Sequence, residues 1–175
     1  MHDRFGFSLL RTLAATLPVL CAVLGAIIGN VPLSAFGSFV PQPLFALMPV
    51  YFWCLVRPDL MPPPAALAIG ILQDLLSGGQ MGVWALSFVA TYALVDRERD
   101  AFAGLSGLGA LLGFATAMLV AGGTAYAIIG LSHEQLPRIE PLLAMAAVTI
   151  VLYLPVLGLL NQLHHRLIGP LRSDF

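Results

Sequence analysis

The sequence has 175 residues, of which 59% are hydrophobic and 10% are charged, and its formal net charge is −1. About a quarter of the residues in soluble domains are charged, so this composition indicates an integral membrane protein. The chain has no lysine, which excludes the basic excess of a nucleic-acid-binding protein and the cationic face of a surface-lying helix. Its two cysteines, Cys21 and Cys54, lie in apolar runs, where a thiol packs as a small hydrophobic group.

Apolar segments follow one another along most of the chain. A transmembrane helix needs about 20 apolar residues, so the uncharged run 12–56 must hold two, separated by the turn-forming stretch Asn30 to Pro43. Arg4 and Arg11 precede this run as in a signal peptide, but its length predicts a retained first span. The predicted spans, within one integral membrane domain covering 1–175, are 13–29, 43–56, 62–77, 81–95, 110–130 and 141–163.

Turn-forming residues separate the later spans. Three prolines, Pro62 to Pro64, can open the third span because proline is tolerated in the first turn of a helix. The stretch Gly78-Gly79-Gln80 is long enough only for a tight turn, so the third and fourth spans are neighbours. The uncharged, glycine-rich segment 101–109 is expected to lie at the interface or to lead at a slant into the fifth span.

The arginines predict the orientation in the membrane. Short cytoplasmic loops retain positive charge. If the N-terminus is inside, Arg138 is the one arginine on the outer side, and the others are inside: Arg4, Arg11, Arg57, Arg97, Arg99, Arg166 and Arg172. The sequence therefore predicts an all-α polytopic membrane protein with six transmembrane helices and with both termini in the cytoplasm.

A few residues predict how the spans pack. Trp53 and Trp84 fall near the inner and outer ends of their spans, as expected for aromatic anchors at the two interfaces. The spacings Gly25-xxx-Gly29 and Gly109-xxx-Gly113 let helices approach closely. Prolines within three spans are expected to kink them, namely Pro18, Pro49 and Pro155.

No catalytic constellation can be assembled from these residues. His2 and His133 lie in a tail and an outer loop, and the adjacent His164 and His165 lack the i, i+4 spacing of a helical metal pair. The Gly78-Gly79 pair lacks the lysine and the preceding strand of a phosphate-binding loop. We therefore predict no catalytic residues, no metal site and no cofactor.

The first polar feature that remains is the corner Arg57-Pro58-Asp59. Its opposite charges flank a proline that fixes the direction in which the chain leaves the second span. An exposed pair of this kind contributes less than about 1 kcal/mol to stability. The corner is either a topology anchor with a neutralising neighbour, or a cytoplasmic contact or a partner for the charged cluster 96–100 on the same side.

The second polar feature is Asp74, within the stretch GILQDLLSGGQMG from Gly70 to Gly82. An acidic group at the centre of a span costs about 2.5–3.5 kcal/mol and by default marks a functional site. At about 1.5 Å per residue from Pro62, it lies roughly 18 Å along the third span, near the outer turn. Its carboxylate can accept backbone amides of the Ser77–Gly82 turn or face the positive N-terminal end of the fourth span. A contact with a partner or ligand stays open, whereas a proton carrier would lack a second buried ionisable group.

The stretch Leu44 to Asp100 resembles the rod shape-determining protein MreD family of bacterial inner membranes, over about 57 of the 175 residues. The matching marks are Arg57-Pro58, Gly70, the run Asp74-Leu75-Leu76-Ser77-Gly78, Gly82, Ala85-Leu86 and the charged end of the fourth span. The resemblance implies a non-enzymatic, multi-pass scaffold of the cell-elongation (rod) complex, which helps to control cell shape and lateral peptidoglycan synthesis.

The resemblance also implies partners. Members of the family partner the bitopic coiled-coil protein MreC and act with the MreB filament, the RodA glycosyltransferase and a penicillin-binding transpeptidase. They look like the six-helix substrate-binding subunits of energy-coupling-factor transporters. The implied structural or partner-groove residues are Arg57, Pro58, Asp59, Gly70, Asp74, Ser77, Gly78 and Gly82.

The alternative function is a small-molecule-binding membrane subunit of a vitamin-type transporter. Such a site should gather several polar groups. The spans offer few of them beyond Gln73, Asp74, Thr91, Tyr92, Thr116, Thr124, Tyr126 and Tyr153.

Overall fold

The computed structural model of the chain describes residues 3–31, 42–103, 108–133 and 138–168. Within these ranges the chain is helical and contains no β-strand, which confirms the all-α class there. The helices are α1 (Asp3–Gly29), α2 (Leu47–Val56), α3 (Pro63–Ser77), α4 (Val83–Arg97), α5 (Arg99–Ala103), α6 (Leu108–His133) and α7 (Ile139–Leu163). A π-helical turn, His164–Ile168, continues α7.

The helices coincide with the predicted spans but differ in length. Within the described ranges, two segments are long and apolar enough to cross a membrane on their own, Leu108–Ser132 and Ile139–Arg166. Helix α2 has 10 residues, and α3 and α4 have 15 each. At about 1.5 Å per residue these are about 15 and 22 Å long, against a hydrocarbon core of about 30 Å. Length and apolar composition together therefore support two crossings, and the other four stay a prediction.

Helix α2 lies at the centre of the bundle. It contacts α1, α4, α5, α6 and α7, and its residues from Leu47 to Cys54 are buried. The ring of Tyr51 meets Phe114 of α6 and Tyr153 of α7 edge to face, with centroid distances of 5.4 and 5.9 Å. Phe114 and Tyr153 stack on each other at 3.9 Å. This aromatic cluster joins the three helices.

The predicted second span begins with a non-helical segment, residues 42–46. The backbone N–H of Leu44 donates to Oγ1 of Thr149 in α7 at 3.0 Å, which satisfies a buried donor that water could not reach. Because α2 starts only at Leu47, Pro49 lies in its first turn, where proline costs no helical hydrogen bond. The interior kink predicted at Pro49 therefore does not arise, whereas Pro18 and Pro155 do lie inside α1 and α7.

Helix α1 packs closely on this non-helical segment. A Cβ atom added to Gly25 would lie 2.7 Å from the carbonyl oxygen of Phe45, and one added to Gly29 would lie 2.9 Å from that of Pro43. Side chains do not fit at such distances, so glycine is required at both positions. The predicted close approach at Gly25-xxx-Gly29 is present, but α1 approaches the non-helical segment before α2 and not another helix.

The side chain of Trp53 is not the interfacial anchor predicted from the sequence. It is fully buried and packs edge to face on Phe52 at 5.1 Å and near the ring of His164 at 5.8 Å. Its indole N–H finds no acceptor in the part of the chain that the structure describes. Trp53 therefore belongs to the core, and the prediction that it lies at the membrane surface is wrong.

Candidate functional site

The α3–α4 hairpin carries most of the predicted site residues. The face of α3 that is buried repeats every three or four residues, as a helix face must: Ala66, Ile69, Gly70, Gln73 and Asp74. The opposite face exposes Leu67, Ile71 and Leu75. Helix α3 therefore has one face directed at α4 and one apolar face directed away from the bundle.

The carboxylate of Asp74 accepts three backbone hydrogen bonds from the beginning of α4. The N–H groups of Gly82 and Ala85 donate to its Oδ2 at 2.9 and 3.1 Å. The N–H of Trp84 donates to its Oδ1 at 2.8 Å. Asp74 is only 2% exposed, and a buried carboxylate is stable only when it is well hydrogen-bonded. These donors supply that need.

Helix α4 needs this carboxylate as much as Asp74 needs the helix. The first N–H groups of a helix have no partner inside the helix and are usually satisfied by a side chain at the N-cap. The N-cap of α4 is Gly82, which has no side chain. Asp74 therefore caps α4 from the neighbouring helix, and its negative charge lies at the positive end of the helix dipole.

Gly70 allows α3 and α4 to approach closely enough for this cap to form. A Cβ atom at position 70 would lie 2.5 Å from Cα of Ala85 and 2.8 Å from the carbonyl oxygen of Trp84. Neither backbone atom can move aside without displacing α4. Gly70 lies one helical turn before Asp74, on the same buried face of α3.

The turn between the helices depends on two other glycines. Gly78, the C-cap of α3, has φ +64°, and Gly82, the N-cap of α4, has φ +95°. Side-chain-bearing residues rarely adopt positive φ, because the Cβ atom comes too near the backbone. The hydroxyl of Ser77 donates to the carbonyl oxygen of Asp74 at 3.1 Å, which satisfies an acceptor in the last turn of α3.

The turn is also tied to the end of α6. The side-chain amide of Gln80 donates to Oγ of Ser132 at 2.8 Å. The α3–α4 turn and the C-terminal end of α6 therefore lie at the same end of the bundle. The sequence singled out neither residue, because a hydrogen bond between positions 52 residues apart leaves no local pattern.

The corner at Arg57 forms a local ion pair. Nε and Nη2 of Arg57 donate to the carboxylate of Asp59 at 3.0 and 2.8 Å, around the intervening Pro58. The hydrogen bond from Arg57 lowers the pKa of Asp59 below its ordinary value. The charged cluster pairs separately, since Arg99 donates to Asp96 at 2.6 Å. No hydrogen bond or ion pair among the described residues joins the corner to that cluster.

The hairpin and the corner both lie in the part of the chain that matches the model of a known protein family. The model of the rod shape-determining protein MreD family matches residues 10–163 of the chain. The chain belongs to this family. The resemblance predicted from residues 44–100 is thereby confirmed, and the match extends well beyond that stretch on both sides. No curated protein and no solved structure matches the chain.

Membership in the MreD family assigns the chain, at that level, to membrane proteins of rod-shape determination. Four of the other polar groups considered for a ligand site are used within helices or in the core of this MreD-family chain. The hydroxyls of Thr91, Thr116 and Thr124 each donate to a carbonyl oxygen one turn earlier in their own helix. The ring of Tyr153 lies in the aromatic cluster. Among the described residues, these four side chains make no hydrogen bond to one another.

Proposed function

We propose that the chain is a non-enzymatic inner-membrane scaffold of the bacterial cell-elongation complex, which helps to control cell shape and lateral peptidoglycan synthesis. The observation that carries the proposal is the MreD-family match over residues 10–163. The hairpin held by Asp74 lies in the middle of the matched region. Its polar groups are used to hold two helices together, as a scaffold requires.

In this proposal the chain crosses the membrane six times, with both termini in the cytoplasm, in the manner of the substrate-binding subunits of energy-coupling-factor transporters. The bond between Gln80 and Ser132 supports a common outer end for the α3–α4 turn and α6. Trp53 lies near the end of α2, and His164 follows α7 two residues before Arg166. Their contact supports an arginine-rich end on the opposite side of the bundle from the α3–α4 turn. The short α2 is compatible with a crossing because Pro43, Leu44 and Ala46 in the non-helical segment before it are buried in protein, where irregular backbone is tolerated at membrane depth.

The proposed partner is the single span of a bitopic MreC-type coiled-coil protein. The apolar stripe of Leu67, Ile71 and Leu75 on α3 is exposed by 39–57% and follows the i, i+4, i+8 spacing of a helix-packing face. Asp74 and Gly70 fix the opposite face of α3 against α4, so the stripe is presented in a defined orientation. The MreB filament, RodA and a penicillin-binding transpeptidase complete the proposed assembly.

Co-purification with the coiled-coil partner tests the proposal. The Asp74→Ala variant should lose most of the partner and should fail to restore rod shape in cells that depend on it. Gly79→Ala is the matched control, because Gly79 has no positive φ and its added Cβ would meet only Ser77 Oγ at 3.7 Å. If Asp74→Ala keeps its partner and the cells stay rod-shaped, the role proposed for the hairpin is wrong.

A further inference from the structure

A cleft lies between α6 and α7, at the end of the bundle that also holds the α3–α4 turn. Its volume is about 240 Å³, and the described residues that line it are Tyr126, Ile129, Arg138, Pro141, Leu142 and Met145. A water molecule in the liquid occupies about 30 Å³, so the cleft has room for about eight groups of that size. This matches a length of hydrocarbon chain and not a whole lipid.

Two adjacent glycines lie on α6 about one helical turn before Tyr126. A Cβ atom added to Gly122 of α6 would first meet the side chain of Leu142 at 3.9 Å, and one added to Gly123 would meet nothing within 4 Å. Gly122 is buried against Leu142, whereas Gly123 is exposed and has open space beside it.

The charge in the cleft is positive. Arg138 is exposed and makes no ion pair with any residue that the structure describes. The nearby Glu140 is exposed as well and does not line the cleft. The planar guanidinium of arginine matches the oxygen atoms of a phosphate and can bind two of them at once. Among the residues that the structure describes, the lining therefore offers one cation and no acidic side chain.

The order of these groups along the helices follows the order of groups in a phospholipid. Arg138 immediately precedes α7, and Met145 lies seven residues later, about 10 Å deeper at 1.5 Å per residue. Tyr126 lies a similar distance before the end of α6 at His133. Arginine side chains are typical of the headgroup level of a membrane, whereas Tyr126 lies deeper, near the level of Met145. The cation thus lies at the interface, with apolar walls below it.

We infer that this cleft binds one phospholipid with an anionic headgroup, of the phosphatidylglycerol class. Its phosphate lies on the guanidinium of Arg138, and one acyl chain follows Ile129, Leu142 and Met145. Basic pockets between transmembrane helices on the cytoplasmic side are known to hold anionic headgroups, and this cleft offers the same chemistry at the outer end. A zwitterionic lipid is a poorer occupant, because its own cation would come near Arg138 and the described part of the lining has no acidic side chain to offset it.

Native mass spectrometry of the full chain in detergent tests the inference. One molecule of phosphatidylglycerol should bind per chain, and phosphatidylethanolamine should bind at least about tenfold more weakly. Arg138→Gln should weaken phosphatidylglycerol binding about tenfold, as expected when a charge-assisted hydrogen bond is lost. Arg138→Lys should retain more of the binding. Arg166→Gln removes the same charge at the opposite end and should change nothing.

A second pair of variants tests the apolar part of the site. Leu142→Trp fills the cleft and should reduce phosphatidylglycerol binding, whereas Leu143→Trp, on a neighbouring residue that does not line it, should not. Equal binding by Arg138→Gln and the original chain, or by the two tryptophan variants, would overturn the inference. Displacement of the lipid by an equal concentration of inorganic phosphate would also overturn it, because the site would then recognise only the anion.

Discussion

Gly70 and Asp74 lie one turn apart on α3, and both meet Ala85 of α4. A Cβ atom at position 70 would come within 2.5 Å of Cα of Ala85, while the carboxylate of Asp74 accepts the N–H of the same residue at 3.1 Å. The missing side chain of one residue thus permits the hydrogen bonds of the other. A shift of α4 by about 1 Å would lengthen these bonds beyond useful range.

Replacing Asp74 should destabilise the hairpin. Asp74→Ala leaves three N–H groups without their acceptor and removes charge-assisted hydrogen bonds, each worth about 1.5–3 kcal/mol. We expect a loss of about 3 kcal/mol or more in the free energy of unfolding, measured by denaturant titration in detergent. Asp74→Asn should lose less, because its amide oxygen can still accept from Gly82 and Ala85. Equal losses for both variants would argue against the capping role.

A side chain at position 70 should be poorly tolerated. Gly70→Ala must push α4 away, and overpacking of this kind typically costs about 1–3 kcal/mol. Gly123→Ala is the control, since it also adds a methyl group to a helical glycine but meets nothing within 4 Å. Thermal unfolding of the two variants should therefore differ clearly, with only Gly70→Ala melting earlier than the original chain. Similar melting temperatures would show that the helices are not in close contact.

Replacing different glycines of the turn by alanine should have different effects on stability. Gly82 has φ +95°, and no atom lies within 4 Å of an added Cβ, so any cost of Gly82→Ala comes from the backbone conformation. That cost is about 1–2 kcal/mol for the left-handed region. Gly79→Ala has no positive φ to maintain and should be nearly neutral. The measurement is the unfolding free energy of each variant, and a neutral Gly82→Ala would contradict the geometry of the turn.

The pair at the corner should respond to acid. Arg57 lowers the pKa of Asp59 in the folded chain, so its small stabilisation is fully present above the ordinary pKa of an aspartate. It is lost as the pH falls through the lowered value of the folded state. Because both side chains are substantially exposed, the effect on stability should stay below about 1 kcal/mol.

Nuclear magnetic resonance of the labelled carboxyl carbon of Asp59 gives the sharper readout. Arg57→Gln should raise the pKa of Asp59, whereas Arg97→Gln, at an exposed arginine that pairs loosely with Glu98, should leave it unchanged. A titration of Asp59 that does not respond to Arg57→Gln would show that the pair does not persist in solution.

The local features of the hairpin could be predicted from the sequence. Three prolines place the start of α3, and a glycine pair four residues after Asp74 places its end. The sequence offers two sets of donors for the carboxylate of Asp74, the amides of the turn or the N-terminal end of the next helix. The structure combines them, because Gly82 belongs to the turn and Trp84 and Ala85 belong to the first turn of α4.

The features that could not be predicted depend on contacts between distant residues. Hydropathy does not distinguish a helical from a non-helical apolar segment, so the predicted second span includes the irregular residues 43–46 and puts Pro49 in a helix interior. The burial of Trp53 depends on His164, more than a hundred positions away. The steric reason for Gly70 appears only when α4 is in place, although the family resemblance marks the residue.

Hydrogen exchange of the backbone amides at the beginning of α4 tests most directly whether Asp74 holds the hairpin. In the original chain the amides of Trp84 and Ala85 should exchange slowly. In Asp74→Ala they should exchange about a hundredfold faster or more, as a loss of about 3 kcal/mol implies, while amides in the middle of α7 stay unchanged. Unaltered protection of Trp84 and Ala85 in Asp74→Ala would contradict the account.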